Sequence, residues 1–363
     1  MRVIISGGGT GGHIYPAIAI ANELKSINPS TEILFVGAEG KMEMEKVPKA
    51  GYSIIGLPVV GIRRELTVTN LVFPVKLGRS LLKAKAVVSD FKPDVVVGVG
   101  GYASGPVLLS ASLAGIPTLI QEQNSYAGLT NKVLARWAKK VCVAYPEMDT
   151  FFSADKIKLT GNPVRKDIQF ADQQVDTGRQ FFALKPDLPT VLVIGGSQGA
   201  RTLNESIEQG ISAFVKAGIQ VLWQTGTGFI DRARMAVAEA KTDLIRPFDF
   251  IYEMDKAYAV ADVVVSRAGA LSVSELCLVG RPAILVPLPT AAEDHQTKNA
   301  MSLVERNAAL LVKDQVARTE LVHKAIQLLG NNAKCAELKH NIKQLGKPNA
   351  AREIAEEVIR LAK

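Results

Sequence analysis

Short apolar runs alternate with longer amphipathic stretches along the whole chain of 363 residues. The first example is RVII (Arg2–Ile5), which is followed, after a glycine-rich segment, by AIAIANELKS (Ala17–Ser26). Continuous apolar runs of strand length are typical of strands buried on both faces of a parallel sheet. Their alternation with helical patterns predicts an α/β fold in which helices cover a parallel sheet.

Two parts of this pattern occur twice. The segment RVIISGGGTGG (Arg2–Gly12) matches TVLVIGGSQGA (Thr190–Ala200), an apolar strand followed by a glycine-rich turn. Farther along, Asp94–Ile120 matches Asp262–Val286: both read Asp-Val-Val-Val, a loop of small residues, a helix, and Gly-x-Pro before another strand. Glycine ends such a helix and proline prevents its continuation. The repeat predicts two tandem Rossmann-like, doubly wound domains whose glycine loops face each other across a cleft.

The boundary between the two domains is predicted near GNPVRKD (Gly161–Asp167), where an apolar strand gives way to a polar run. The first domain is therefore expected over residues 1–164 and the second over 165–346. A chain of this length can bury a separate core in each.

The uncharged stretch Val95–Ile120 is long enough to cross a bilayer. Glycines and prolines, among them Gly100, Gly105 and Pro117, divide it into strand, loop, helix and strand. A buried βαβ unit is the better interpretation.

Charge and cysteine content narrow the function classes. Residues 1–165 hold 19 Lys and Arg against 12 Asp and Glu, a net of +7, whereas residues 166–363 hold 24 against 23, a net of +1. Excess positive charge in one half suits solubility, nucleic acid or an anionic membrane surface. No nucleic-acid-binding motif is present, so we expect no nucleic-acid partner. The three scattered cysteines (Cys142, Cys277, Cys335) indicate reduced thiols in a cytoplasm.

The first glycine loop, SGGGTGGHIYP (Ser6–Pro16), satisfies G-x-G-x-x-G with Gly7, Gly9 and Gly12, the dinucleotide fingerprint. A helix that opens after such a loop can bind a phosphate through its unpaired N–H groups. The second loop offers Gly195, Gly196, Ser197 and Gly199 for a diphosphate. Tight packing between strand and helix would explain either loop equally well, but two loops in repeat favour ligand binding.

Three further loops carry candidate polar contacts. In SRAGALSVSE (Ser266–Glu275), Ser272 and Glu275 either form an S-x-x-E capping box or leave Glu275 to bind ribose hydroxyls. In LPTAAEDHQTKNA (Leu288–Ala300), His295 and Gln296 either bond sugar hydroxyls or belong to a polar first helical turn that Glu293 and Asp294 cap. The segment Ile120–Lys132 places Glu122, Gln123 and Asn124 at a strand end.

A resident metal site is not expected. The chain contains no D-x-D motif, and its four histidines are not paired at ligand spacing. Helix dipoles and backbone N–H groups would then have to neutralise a leaving diphosphate. No other cofactor is expected.

Seven motifs stand in one order: GGGTGGH, GVGGYASGP, QEQN with AGLTNK, GNPVR, GGSQGARTLN, SRAGALSVSE and EDHQTKNA. Together they resemble the MurG family of bacterial glycosyltransferases over essentially the whole chain. The resemblance implies the two-domain GT-B fold, with a last helix (about 347–363) that returns to the first domain. It also implies inverting transfer of N-acetylglucosamine from UDP-N-acetylglucosamine to undecaprenyl-diphosphate-linked N-acetylmuramyl-pentapeptide, on the cytoplasmic side of the cell membrane.

The resemblance also implies site residues. Those expected to bind the sugar nucleotide are Thr10, Gly11, Gly12, Asn124, Arg165 and Ser197, with Ile251 lining the uracil pocket, Ala270, Leu271, Ser272, Val273, Ser274 and Glu275 at the ribose and phosphate, and Gln296 at the sugar. The first glycine loop would then bind the lipid diphosphate of the acceptor. Two positions depart from the family pattern: Gln121 stands where histidine is usual, and His295 where a glutamine is frequent.

His13 is the first candidate for the base that deprotonates the acceptor hydroxyl, because imidazole ordinarily titrates near neutral pH. A neutral hydrogen-bonding role on the acceptor diphosphate is almost as well supported, and Glu122 is the second candidate base. The segment 63–85 carries six basic residues against one acidic, together with several apolar ones. It is either an ordinary amphipathic helix or a patch that binds an anionic membrane.

Three other functions remain open. The first is a nicotinamide dehydrogenase, in which Glu39 would bind a ribose. The second is a sugar-nucleotide epimerase of the same two-domain architecture, and the third is a non-catalytic sugar-nucleotide-binding subunit. The dehydrogenase lacks a matching catalytic constellation, the epimerase needs acid–base carboxylates around the sugar, and a binding subunit needs only one of the two loops.

Overall fold

The computed structural model describes residues 1–59, 73–196 and 198–363. The chain divides into two compact units. The first contains Met1–Val164 and Asn349–Lys363, and the second contains Arg165–Pro348.

The first unit is built on a seven-stranded parallel sheet of order β3-β2-β1-β4-β5-β6-β7. Its strands are β1 Arg2–Ser6, β2 Glu32–Ala38, β3 Ser53–Leu57, β4 Val95–Gly98, β5 Thr118–Glu122, β6 Lys140–Val143 and β7 Ile157–Leu159. Its helices are α1 Gly11–Ile27, α2 Glu43–Lys49, α3 Phe73–Phe91, α4 Ser104–Leu113 and α5 Leu129–Leu134, with short 3₁₀ turns at Met148–Thr150 and Ala154–Lys156.

The second unit has a six-stranded parallel sheet of order β10-β9-β8-β11-β12-β13. Its strands are β8 Thr190–Ile194, β9 Gln220–Gln224, β10 Ile245–Phe248, β11 Val263–Ser266, β12 Ala283–Leu285 and β13 Leu310–Leu311. Its helices are α6 Val175–Phe181, α7 Arg201–Lys216, α8 Ile230–Glu239, α9 Met254–Val260, α10 Ala270–Val279, α11 His295–Val304, α12 Ala317–Leu329 and α13 Asn332–Gln344, with 3₁₀ segments at Lys166–Gln174, Ala292–Asp294 and Asp314–Val316.

The central strands are apolar because helices cover both faces of each sheet. All of β4 is buried, and Val3, Ile4 and Ile5 of β1 have no exposed area. In the sheet, Ile4 lies between Leu34 and Val96. The predicted strand, loop, helix and strand within Val95–Ile120 are confirmed as β4, α4 and β5. Within the described ranges, no helix combines the length and apolar character needed to span a bilayer.

The last helix, α14 (Ala350–Leu361), belongs to the first unit. Its Ile354, Ala355 and Val358 are fully buried in one cluster with residues of α1. Lys158 Nζ also donates to Glu357 Oε1 at 2.9 Å. Burial of this apolar face fixes the end of the chain on the first sheet.

The predicted α/β class and the pair of doubly wound parallel sheets are confirmed. In each sheet the strand order reverses between the two strands that carry the repeated motifs, β1 and β4 in one and β8 and β11 in the other. Ligands of open α/β sheets bind beyond the carboxyl ends of the strands at this reversal point. The loops that follow these four strands are therefore the candidate sites.

Candidate functional site

The loop between β1 and α1 packs against the loop after β4. Gly8 N–H donates to the Gly100 carbonyl at 3.3 Å. A Cβ at Gly7 would overlap Val99, and one at Gly101 would overlap the Gly8 carbonyl. Packing between the two loops therefore requires glycine at these positions, and they need no ligand to explain them.

Other glycines of the same loop have no such packing reason. A Cβ at Gly9 would meet nothing within 4 Å, and one at Gly12 would meet only Thr10 Oγ1, at 3.6 Å. Thr10 is exposed at the N-cap of α1, so Gly11 and Gly12 form the first helical positions. The N–H groups of a first helical turn lack partners within the helix. The predicted ligand contacts Thr10, Gly11 and Gly12 thus lie at the open end of α1.

His13 lies in the first turn of α1, between the two loops. Its Nδ1 is 3.0 Å from the Gly8 carbonyl oxygen and 3.3 Å from Thr10 Oγ1. A carbonyl oxygen only accepts, so Nδ1 carries the proton and Nε2 has the lone pair in the neutral ring. Nε2 lies against Gly100, 2.9 Å from the point that a Cβ there would occupy. Glycine at position 100 leaves room for the ring.

Glu122, the second candidate base, is the centre of a hydrogen-bond network at the end of β5. Its buried carboxylate accepts from the backbone N–H groups of Asn124 and Gly128, at 3.1 and 3.0 Å, and from Asn131 Nδ2 at 2.8 Å. These hydrogen bonds fix the loop after β5. Glu122 thus holds Asn124 at the end of β5, and its role as second candidate base stays a prediction.

Gln121, which stands where histidine is usual in the family, lies in the interior of the first unit. Gln121 is fully buried, and its Nε2 donates to Asn162 Oδ1 at 2.9 Å. Asn162 Nδ2 in turn donates to the Gln123 carbonyl at 2.9 Å. Gln121 therefore joins β5 to the segment after β7 as part of the interior.

In the second unit, the glycine loop after β8 packs against the end of β9. Gln224 Nε2 donates to the Gly196 carbonyl at 2.9 Å, and Gln224 Oε1 accepts from Ile251 N–H at 3.0 Å. A Cβ at Gly196 would meet nothing within 4 Å. Ser197, predicted to contact the diphosphate, lies outside the described residues.

Ile251 is 2% exposed. Its side chain packs in the interior, so the contact with the uracil that is expected of this residue would come through its backbone. Gln224 links that backbone to the glycine loop, so one side chain connects two of the predicted ligand-binding segments.

The capping box predicted as one reading of Ser272 and Glu275 is wrong. Helix α10 begins at Ala270 with Gly269 as its N-cap, and no side chain caps it. Ser272 and Glu275 lie within the helix, one turn apart. Ala268, Ala270 and Val273 are buried, so their small or apolar side chains serve the interior, and any contact they make with a ligand must come from the backbone.

Glu275 has a partner that the sequence did not reveal. The Tyr258 hydroxyl, on α9, donates to Glu275 Oε2 at 3.0 Å. Burial, and then the charge of Glu275, hold the pKa of Tyr258 well above its usual range, while Arg165 acts in the opposite direction. The charges of Arg165 and Glu275, both predicted from the motifs, thus act on the same tyrosine in opposite directions. A protonated Tyr258 fixes the carboxylate of Glu275.

Gln296 is the second residue of α11, and its Oε1 accepts from Leu288 N–H at 3.0 Å. Asp294 is the N-cap of this helix but makes no side-chain cap. The capping that was the alternative reading of this turn is therefore absent at Asp294. Gln296 instead closes the loop between β12 and α11.

Two more residues that the sequence did not single out organise these loops. Arg267 is 7% exposed and donates to the Val286 carbonyl at 3.0 Å and to Asp314 Oδ1 at 2.5 Å, which fixes the loop after β11. Glu43 is 1% exposed and accepts from Gly9 N–H at 2.9 Å. A glycine inside a strand often marks a place where another group approaches the backbone closely, and Gly37 in β2 was the sequence signal that could have indicated Glu43.

For the part of the chain that the structure describes, no cluster of three or more His, Cys, Asp or Glu could hold a metal ion.

Comparisons with known proteins agree with this architecture. Residues 3–143 match the model of the glycosyltransferase family 28 N-terminal domain, and residues 190–358 match that of the family 28 C-terminal domain. The chain is 54% identical over 360 residues to the UDP-N-acetylglucosamine–N-acetylmuramyl-(pentapeptide) pyrophosphoryl-undecaprenol N-acetylglucosamine transferase of Cytophaga hutchinsonii, covering 99% of this chain and 96% of the relative. The protein of the same name from Parabacteroides distasonis is 50% identical over 360 residues, with 99% and 98% covered.

Solved structures give the same result. The crystal structure of Acinetobacter baumannii MurG matches with a TM-score of 0.80 at 29% identity, covering 99% of each chain. A UDP-GlcNAc 2-epimerase from Neisseria meningitidis, bound to UDP-GlcNAc, matches with a TM-score of 0.70 at 14% identity, covering 99% of this chain and 100% of the epimerase, which shows a shared fold alone. The resemblance to MurG that the motifs indicate is confirmed, and the chain belongs to glycosyltransferase family 28.

Proposed function

We propose that this chain is a hexosyltransferase that moves N-acetylglucosamine from UDP-N-acetylglucosamine to undecaprenyl-diphosphate-linked N-acetylmuramyl-pentapeptide, a step of peptidoglycan synthesis. The observation that carries the proposal is full-length identity of 50–54% to proteins named for this reaction. The geometry agrees with it, since each unit has its own helix opened by a glycine loop at the reversal point of its sheet.

The donor nucleotide is assigned to the second unit. Glu275, fixed by Tyr258, offers carboxylate oxygen to the ribose hydroxyls, and the first turns of α7 and α10 offer N–H groups to the diphosphate. Backbone N–H groups and helix dipoles that already point at a developing anion stabilise it without reorganisation. Arg165, Ser197, the Ile251 backbone and Gln296 complete the proposed donor contacts.

The acceptor diphosphate is assigned to the first glycine loop, in the first unit. Thr10, Gly11, Gly12 and Asn124 are proposed as further contacts of the sugar nucleotide. His13 Nε2 takes the proton of the acceptor 4-hydroxyl as that oxygen attacks C1 of N-acetylglucosamine and UDP leaves. One displacement inverts C1, so an α-linked donor gives a β-1,4 product. The Nδ1 bond to Gly8 keeps the lone pair on Nε2.

The residue that favoured a dehydrogenase, Glu39, is paired with a lysine. Glu39 accepts from Lys83 Nζ at 2.8 Å, and the N–H of Gly9 in the G-x-G turn is already bonded to the Glu43 carboxylate. The N–H of Gly9 is therefore not available to the diphosphate of a dinucleotide, which this turn would have to bind. The epimerase reading rests on the shared fold, and that does not specify a reaction.

Association with a membrane surface is proposed for the first unit. Helix α3 exposes Val75 and Leu82, which helical spacing puts on one side together with the exposed Arg79 and Lys85. Apolar side chains among basic ones can enter the interface of an anionic bilayer, where the lipid-linked acceptor lies. The remainder of the basic segment, residues 63–72, lies outside the described residues. We place the enzyme on the cytoplasmic face, where UDP-sugars are available.

The proposal is tested by incubating the protein with radiolabelled UDP-N-acetylglucosamine and a lipid-linked muramyl acceptor. Label should move to the lipid fraction only when the acceptor is present. The donor incubated alone should stay unchanged by NMR. Formation of UDP-N-acetylmannosamine would support the epimerase, and tight donor binding without either product would support a binding subunit.

A further inference from the structure

A buried carboxylate lies inside the first glycine loop. Glu43, the first residue of α2, is 1% exposed, and its Oε2 accepts from Gly9 N–H at 2.9 Å. Its Oε1 accepts from Ala38 N–H, also at 2.9 Å. One side chain thus joins the loop after β1 to the end of β2.

Two glycines make room for this carboxyl group. A Cβ at Gly8 would overlap Glu43 Oε1, and one at Gly37 would lie 2.5 Å from Glu43 Cγ. Because a contact under 3.0 Å forces a shift, neither position can carry a side chain while Glu43 keeps its place. The glycines of β2 and of the loop therefore match the position of this carboxylate.

Glu43 and His13 bind the two ends of one peptide group, the one that joins Gly8 to Gly9. Glu43 holds the N–H of Gly9, and the preceding residue, Gly8, presents its carbonyl to His13 Nδ1 at 3.0 Å. The N–H of Gly8 is bound to the Gly100 carbonyl at 3.3 Å. Both polar groups of the Gly8–Gly9 peptide are thus hydrogen-bonded, the N–H to Glu43 and the carbonyl to His13. The direction of that carbonyl decides which ring nitrogen of His13 carries the proton.

We infer that Glu43 is a positioning residue for His13: by holding Gly9 N–H, it aims the Gly8 carbonyl at Nδ1 and keeps the lone pair of the imidazole on Nε2. The inference rests on the proposed function, in which His13 Nε2 accepts the proton of the acceptor hydroxyl. Both oxygens of Glu43 are needed as acceptors. Ala38 is held by the pairing of β2 with β3, so loss of one acceptor releases the Gly9 side.

The test compares Glu43→Gln with the matched control Glu39→Gln. The first replacement keeps the shape of the side chain but turns one acceptor into a donor. The control removes the same charge from the same connection between β2 and α2, at a side chain that is 51% exposed and pairs with Lys83. Measured are kcat and the KM of each substrate, UDP binding by calorimetry, and the imidazole ¹⁵N shifts of His13, assigned by comparison with His13→Ala.

For Glu43→Gln we expect kcat to fall about tenfold or more, since small misplacements of a catalytic group have effects of this size. The Kd of UDP should stay within about twofold of the wild-type value, which shows that the second unit is folded, and the ¹⁵N shifts should move away from the Nδ1–H tautomer. Glu39→Gln should match the wild type in every measurement. If the wild type is active and Glu43→Gln keeps both its kcat and its His13 tautomer, the inference is wrong. A general loss of UDP binding in Glu43→Gln would also overturn it. Absence of transfer by the wild type would instead overturn the proposed function.

Discussion

The Tyr258 hydroxyl donates a hydrogen bond to Glu275 Oε2 over 3.0 Å, from α9 to α10. Tyr258 is 1% exposed, and its raised pKa keeps the hydroxyl protonated throughout the neutral range. In the proposed donor site, Glu275 would therefore meet the ribose in one fixed orientation, which would reduce the conformational entropy lost on binding.

Replacement Tyr258→Phe should raise the Kd of UDP about tenfold, because a hydrogen bond to a charged group contributes about 1.5–3 kcal/mol. Calorimetric titration measures it. Tyr252→Phe is the control, since Tyr252 is 73% exposed. A double-mutant cycle with Glu275→Ala separates the mechanisms: the effect of Tyr258→Phe should vanish when Glu275 is absent. Equal effects in both backgrounds would mean that Tyr258 acts only through packing.

His13→Ala should lower kcat by ~10²-fold or more, which is the usual contribution of a general base. The KM of UDP-N-acetylglucosamine should change little, because the donor is assigned to the second unit. Steady-state kinetics with varied donor and acceptor measure both. A small loss of kcat with weaker acceptor binding would instead give His13 a neutral hydrogen-bonding role on the acceptor diphosphate.

The fold could be predicted from the sequence because its evidence is local. Apolar strands, glycine turns and their repetition determine both parallel sheets. The contacts that orient the candidate site join residues distant in sequence. Glu43 stands in MEMEK, which reads as an exposed helical turn, and only the fold brings its carboxylate to Gly9. Ser272 and Glu275 have the spacing of a capping box, but α10 begins two residues earlier, at Ala270.

Transfer should persist in excess EDTA. The chain has no D-x-D motif, and the proposed stabilisation of UDP comes from the first turns of α7 and α10. The measurement is the initial rate after dialysis against EDTA, with and without added Mg²⁺. Loss of activity on chelation and recovery with Mg²⁺ would contradict a role for helix N-termini as the main source of charge stabilisation.

Alkaline pH should destabilise the folded state through two thiols. Burial raises the pKa of Cys142 to about 12, with Glu357 acting in the same direction, and burial raises that of Cys277 to about 12. An unfolded thiol ionises near pH 9, so their contribution is complete below about pH 9 and is lost as the pH rises towards 12. Each thiol should lower the free energy of unfolding by about 1 kcal/mol between pH 8 and pH 10. Urea titrations at pH 8 and pH 10 measure the free energy of unfolding. Between these pH values it should fall less for Cys277→Ala than for the wild type; an identical fall would exclude a contribution from Cys277.

Membrane association should depend on the exposed face of α3. The side chain of Leu82 is 71% exposed, so Leu82→Ser removes apolar surface without opening the core. The matched control is Met235→Ser on α8 of the second unit, where Met235 is 64% exposed. We expect the wild type to sediment with vesicles that contain anionic lipid and to be released by salt, because each basic residue near such a surface contributes about 1 kcal/mol that ions screen. Leu82→Ser should bind several-fold more weakly, and Met235→Ser should bind as the wild type does. Equal binding to neutral vesicles, or no binding to either kind, would contradict an electrostatic and apolar contact through the first unit.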